Sequence, residues 1–270
     1  MTDGRTRLEV MFEQTKAENR AALLPYLTAG LPDVDTSVAL FEVMADAGAD
    51  GFEVGIPYAD PLMDGPVIME AGEIALDAGV TVDVALEIVS RITSSTGKPV
   101  IVMTYVNPVL RNGIDRFFAK VAEAGASGVI LADLPTDESG PFLVEAERAG
   151  LGMALFAAPT TGAHRLAQLA SADPAFVYAV AEVGVTGERT EGSSNIASLA
   201  ASVRSVTDAP IVFGVGIADA AQAGAAALEG DGVILGSAIV RRVLQAETNE
   251  QAKESLAGFV DELANAVVRR

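Results

Sequence analysis

Short runs of apolar residues alternate along the chain with longer stretches whose apolar positions recur at helical spacing. The runs fall at 23–27, 51–55, 99–103, 128–131, 153–156, 176–180, 210–213 and 232–235. Apart from 51–55, which holds Glu53, they are continuous rather than broken by charged residues, the pattern of parallel strands covered on both faces. Helical spacing occupies 36–47, 67–78 with 83–94, 114–124, 138–149, 163–171, 196–205, 218–228 and 252–267. Strands and helices alternating in this way predict an α/β fold, a (β/α)8 TIM barrel. Residues 5–18 add a helix ahead of the first strand, with Leu8, Met11, Phe12 and Thr15 on one side. This extra N-terminal helix is suited to plug the barrel's bottom. An open doubly wound sheet would be expected to carry Gly-x-Gly-x-x-Gly after its first strand, and none is present.

The helix-to-strand junctions repeat loosely. Asp46-Ala-Gly-Ala-Asp-Gly51, Glu123-Ala-Gly-Ala-Ser-Gly128 and Leu228-Glu-Gly-Asp-Gly232 are three versions, with Glu147-Arg-Ala-Gly-Leu-Gly152 a weaker fourth. One glycine ends the helix in a left-handed cap and the next tightens entry into the strand. No linker or composition shift interrupts the series, so residues 1–270 read as a single barrel domain, and polar residues 245–253 read as a solvated connection.

Composition narrows the partners. Eighteen basic against 37 acidic residues give a formal charge of −19, which disfavours nucleic acid and anionic membrane. A phosphorylated substrate would have to be held by local dipoles against that field. Cysteine is absent, which removes disulfides and thiolate nucleophiles and fits a cytoplasmic location. No stretch has the roughly 18 uninterrupted apolar residues of a membrane span, and the polar start lacks a signal peptide's apolar core.

Barrel chemistry is expected at the C-terminal ends of the strands. Glu53 lies within an apolar run, where alternation with Phe52 and Val54 points it to the opposite side. Burial there would raise its pKa toward the range a proton shuttle needs; the alternative is a buried Glu held by purely structural hydrogen bonds. Asp60 and Asp64 follow in a loop broken by prolines. Gly214 and Gly216 after the seventh run, and Gly236-Ser237 after the eighth, would let backbone approach a ligand closely. Gly236-Ser237 also opens a short helix at 238–244, whose free amides favour a phosphate. Residues 184–194 are long, polar and glycine-rich, as a lid would be. His164 is the one histidine, so no metal site is expected, and none of the four lysines follows a strand, which disfavours a Schiff base.

The stretch Phe52-Glu-Val-Gly-Ile-Pro-Tyr-Ala-Asp-Pro-Leu-Met-Asp-Gly-Pro66 closely resembles the signature of the tryptophan synthase alpha chain family. The likeness continues through Leu24-Pro-Tyr-Leu-Thr-Ala-Gly30, Met103-Thr-Tyr-Val-Asn-Pro108, Ala132-Asp-Leu-Pro135, Ala158-Pro-Thr160, Gly184-Val-Thr-Gly187, Gly214-Val-Gly-Ile217 and Gly236-Ser-Ala-Ile-Val240. Val215 stands where an aromatic is common. The resemblance implies retro-aldol cleavage of indole-3-glycerol phosphate to indole and glyceraldehyde 3-phosphate. Glu53 would be the proton-transferring acid/base and Asp64 the acid facing the indole nitrogen. Tyr26, Tyr105, Tyr178, Gly187, Gly214, Gly216, Gly236 and Ser237 would bind substrate. No cofactor is implied in this chain. The implied partner is a pyridoxal-phosphate-dependent beta subunit in an αββα heterotetramer, met through Asp60, Pro61, Asn107, Pro108, Leu134 and Pro135. Another phosphate-binding barrel enzyme would share the glycines but not the Glu53-to-Asp64 motif, and a regulatory subunit would have no need of both acids.

Overall fold

Residues 3–180, 191–214 and 216–269 are described by the structure, a computed structural model. The first helix, α1 (Gly4–Ala17), is capped by Asp3, whose side chain accepts from the Thr6 amide at 2.8 Å. It buries Leu8, Met11, Phe12 and Thr15, the face its spacing predicts. Then follow β1 (Ala22–Thr28), α2 (Val34–Asp46), β2 (Phe52–Gly55), α3 (Pro66–Asp77), α4 (Val82–Thr96) and β3 (Val100–Thr104). The middle of the chain forms α5 (Val106–Asn112), α6 (Ile114–Glu123), β4 (Gly128–Leu131), a 3-10 turn (Thr136–Glu138), α7 (Gly140–Arg148) and β5 (Gly152–Ala157). The remainder forms α8 (Ala163–Ser171), β6 (Phe176–Ala179), α9 (Glu191–Arg204), β7 (Ile211–Phe213), α10 (Ala220–Glu229), β8 (Gly232–Leu235), α11 (Ser237–Leu244) and α12 (Asn249–Ala266).

Among the described residues eight parallel strands pair in sequence order, and β8 pairs back onto β1 to close the barrel. Nearly every strand residue is buried, as continuous apolar runs require when helices cover one face and the barrel interior fills the other. The junction glycines have a packing reason as well as a capping one. A Cβ on Gly152 would stand 2.9 Å from Leu8 Cδ1, and one on Gly128 would stand 2.7 Å from the Gly152 carbonyl oxygen. The floor helix therefore fits only where strands begin without side chains.

Several boundaries differ from the sequence reading. Only a helix at 114–124 was expected after β3, yet α5 precedes it and takes in Asn107 and Pro108. Pro108 falls in the helix's first turn, where the missing amide costs no intrahelical bond. The helix expected at 138–149 begins instead as the 3-10 turn, then restarts as α7. At the end of the chain α12 begins at Asn249, within the polar stretch read as a connection, because Thr248 caps it by accepting from the Gln251 amide. Likewise α9 begins at Glu191 and absorbs the end of the expected lid, while 184–190, Gly187 and Val215 lie outside the described residues.

Candidate active site

A cavity of about 830 Å³ opens at the C-terminal ends of the strands. Its wall is built from successive strand ends, with Met103 of β3, Ile130 of β4, Phe156 of β5, Tyr178 of β6 and Ile234 of β8 all facing it. Another cavity of similar size lies at the opposite end, between α1 and the strand starts, away from these groups.

Glu53 is the buried acid of this wall. It is the second residue of β2, opposite Tyr26 of β1 and Ile101 of β3. Only 3% of it is exposed, and its Oε2 has no hydrogen-bond partner among the described residues. Burial, seconded by the nearby charge of Asp64, pushes its carboxyl up to about 8. The group is therefore a neutral acid near pH 7, aimed into a cavity with its proton to give. A structural Glu would instead have its oxygens satisfied by neighbours.

Asp64 sits at the cavity's edge on the loop between β2 and α3. That loop is short and internally bonded, the Asp64 amide donating to the Pro61 carbonyl at 3.0 Å. The Met63 amide donates to the Tyr105 hydroxyl at 3.2 Å. Tyr105 in turn packs 5.2 Å from Tyr58, whose hydroxyl accepts from Asn107 at 2.8 Å. Burial raises the Asp64 carboxyl above its ordinary value, and the Tyr105 hydroxyl offsets part of that rise. Tyr105 thus stands behind the Asp64 loop rather than on the cavity wall, where the sequence reading had put it.

Tyr26 and Tyr178 do line the cavity. Burial raises both hydroxyls well above their ordinary value, so both remain neutral. Each ring rests on a glycine of the neighbouring strand segment. A Cβ on Gly55 would be 2.2 Å from the Tyr26 hydroxyl oxygen, and one on Gly214 would be 2.1 Å from that of Tyr178. Gly214 lines the cavity, as expected of it, and is in addition a seat for Tyr178. Gly214→Ala is expected to displace Tyr178 against Phe156, whose ring centroid lies 5.1 Å away. Overpacking of that kind should destabilise the fold by about 1–3 kcal/mol in chemical denaturation and weaken substrate binding.

The far side of the cavity holds Gly216, Gly236 and Ser237. Gly216 has a φ of +81°, a left-handed conformation that L side chains avoid. Gly236 is the N-cap of α11 and Ser237 its first residue, so the first amides of that helix have no acceptor of their own. An anion is the natural partner of such a terminus.

The expected mouth residues divide by burial. Asp60, Asn107 and Pro135 are exposed and Pro61 is half-buried, whereas Pro108 and Leu134 are buried, Leu134 facing the cavity. Sequence reasoning passed over Leu62 and Met63, exposed at 83% and 65% on the same loop as Asp60. It also passed over Ile130, Phe156 and Ile234, whose only signal was membership of an apolar run, and over Arg241, which lines the cavity from α11. His164 is exposed at the start of α8. Among the described residues no group of three His, Asp or Glu side chains is placed to hold a metal ion, and no helix is long and apolar enough to cross a membrane.

The family model described as tryptophan synthase alpha chain matches residues 12–268. The tryptophan synthase alpha chain of Streptomyces avermitilis is 44% identical over 252 residues, 93% of this chain and 91% of that one. That of a Picosynechococcus species is 41% identical over 263 residues, 97% of this chain and 99% of that one. Among solved structures, a chain of Mycobacterium tuberculosis tryptophan synthase superposes with a TM-score of 0.87 at 40% identity, covering 98% of this chain and 99% of that one. The alpha subunit of Legionella pneumophila tryptophan synthase superposes with a TM-score of 0.88 at 30% identity, covering 97% and 98%.

Proposed function

This chain belongs to the tryptophan synthase alpha chain family, which cleaves indole-3-glycerol phosphate in tryptophan biosynthesis, and from that premise we propose how its residues divide the work. Glu53 gives its proton to indole C3, and the carboxylate so formed takes the proton of the hydroxyl on the adjacent side-chain carbon. The carbon–carbon bond breaks as that hydroxyl becomes the aldehyde of glyceraldehyde 3-phosphate, and the electron pair returns to the ring to give indole. The proton count closes, with Glu53 ending as it began. Asp64 faces the ring nitrogen and stabilises the positive charge that C3 protonation places there. Tyr26 and Tyr178 pack the indole, and the amides around Gly216, Gly236 and Ser237, joined by Gly187, hold the phosphate. Tyr105 acts on substrate only through the loop it braces.

The observation that carries this reading is the buried carboxyl of Glu53, which lines the cavity with its Oε2 unpartnered among the described residues. The test is indole release from indole-3-glycerol phosphate by the purified chain across pH. Because the free-enzyme Glu53 must start protonated, kcat/KM should hold up to about pH 8, where that carboxyl titrates, and fall about tenfold per pH unit beyond it. No indole at any pH, or a profile flat through pH 10, refutes the assignment.

The family needs no cofactor in this chain, and pyridoxal phosphate belongs to the beta subunit. We infer that the chain works as one barrel domain over 1–270, in the cytoplasm, within an αββα heterotetramer. Indole is apolar and diffusible, so direct transfer to a second active site avoids its loss. The exposed groups at the cavity mouth, Asp60, Asn107 and Pro135, with Leu62 and Met63, suit a partner that covers apolar surface and closes the cavity. Titrating the beta subunit into this chain should give a larger sedimenting species and faster indole production, since docking fixes the loop that carries Asp64. A complex that leaves the rate untouched refutes the coupling.

A further inference from the structure

We propose that Arg241 pairs with the phosphate of the substrate, supplying a charge to a cradle otherwise made of backbone amides and setting the preference for phosphorylated ligands. This rests on reading the cavity as the site of indole-3-glycerol phosphate. The electrostatic need is plain: a chain of formal charge −19 must draw in a dianion, and Glu53, Asp64 and Asp133 all line the cavity it enters. Helix-terminal amides are partial charges only, each helix offering about half an elementary charge.

Arg241 is placed to make up the difference. It follows Ser237 by four residues on α11, so the two share a helix face, and helical side chains lean back toward the N-terminus. Both line the cavity. The neighbouring Arg242 also reaches the cavity but is committed elsewhere. Its Nη1 donates to the Ala238 carbonyl at 3.0 Å, and its guanidinium lies 3.4 Å over the Phe259 ring, which fixes it as part of the wall. No other Lys or Arg among the described residues lines this cavity. Arg241 is exposed and forms no ion pair among the described residues, so its guanidinium is available for the two-pronged contact that phosphate accepts. Exposure also limits its strength, because water and salt screen it.

The experiment compares the full chain with Arg241→Gln and Arg241→Lys. Steady-state kinetics with indole-3-glycerol phosphate are paired with calorimetric binding of glycerol 3-phosphate and of indole-3-propanol, which has the ring but no phosphate. Arg241→Gln should raise KM and weaken glycerol 3-phosphate by roughly threefold to tenfold, the range of a screened charge-assisted contact. At saturating substrate kcat should change less than twofold. Indole-3-propanol should bind as before, and Arg241→Lys, which keeps the charge but not the two-pronged contact, should restore part of the loss. Raising salt should weaken glycerol 3-phosphate binding less in Arg241→Gln than in the parent chain. Unchanged glycerol 3-phosphate affinity, or an equal loss for indole-3-propanol, overturns the role given to Arg241 while leaving the active-site reading in place. A parent chain that neither binds glycerol 3-phosphate nor releases indole overturns that reading itself.

Discussion

Glu53→Gln is expected to lower kcat by roughly 100-fold to 10,000-fold, the usual worth of a positioned proton-transfer group. Glutamine keeps the size and polarity of the side chain but has no acidic proton to give C3 and no basic oxygen to accept one from the hydroxyl. Binding should survive, because glutamine fills the same place in the cavity wall and the phosphate cradle does not include residue 53, and glycerol 3-phosphate titration checks that directly. Retention of more than a few per cent of the parent kcat would move the proton transfer to another group. A second readout separates chemistry from folding. The folded-state pKa of Glu53 is raised from 4.5 to about 8. Between those values the native state binds more protons than the unfolded chain, so the parent chain loses stability as pH rises from about 4.5 to about 8. Glu53→Gln has no such group. Its stability relative to the parent should therefore climb over that window, by up to a few kcal/mol, in urea titrations at pH 5 and pH 8. An inactive variant that is more stable at pH 8 is the mark of a functional acid held at a structural cost.

Asp64→Asn is expected to lower kcat/KM by roughly 100-fold to 1,000-fold, the scale of removing one preorganised electrostatic partner of a transition state. The amide is nearly the same shape, so the loss reports the charge that faces the ring nitrogen. A distinctive side effect follows from geometry. The charge of Asp64 helps hold Glu53 up, so removing it should bring the alkaline limb of the residual activity to lower pH. A limb that stays put would mean that burial alone raises Glu53. Full activity in Asp64→Asn would remove Asp64 from the mechanism.

Much of this protein was written in the pattern of its residues. Continuous apolar runs separated by helical spacing dictated parallel strands covered on both faces, and their succession dictated a closed barrel. The stripe of Leu8, Met11, Phe12 and Thr15 marked a helix ahead of the first strand suited to plug the barrel's bottom, and that face is the one it buries. The phase of β2 put Glu53 inward, and an isolated acid in such a run already implied a raised pKa. Gly236-Ser237 announced a helix start, because a residue without a side chain followed by a good helix opener behaves that way locally.

What remained hidden depends on contacts between residues distant in sequence. Asn107-Pro108 looks like a loop end, and it becomes the first turn of α5 because a proline there sacrifices nothing. Tyr105 lies at a strand end like the pocket residues, yet its hydroxyl is occupied by the Met63 amide, so it braces the loop behind Asp64. Gly214 reads as a ligand glycine and does line the cavity, but its second task, seating the Tyr178 ring, is visible only once β6 and β7 are side by side. Arg241 and Arg242 are adjacent and chemically equal in the sequence. Only the packing of α11 on α12 gives Arg242 the ring of Phe259 and leaves Arg241 facing the cavity. Local patterning fixed which segments form and which faces they bury, because those are short-range and solvent-driven choices. Which side chain occupies another's hydrogen bond, seat or charge was decided by tertiary structure, because it requires partners that the chain brings together only on closing the barrel.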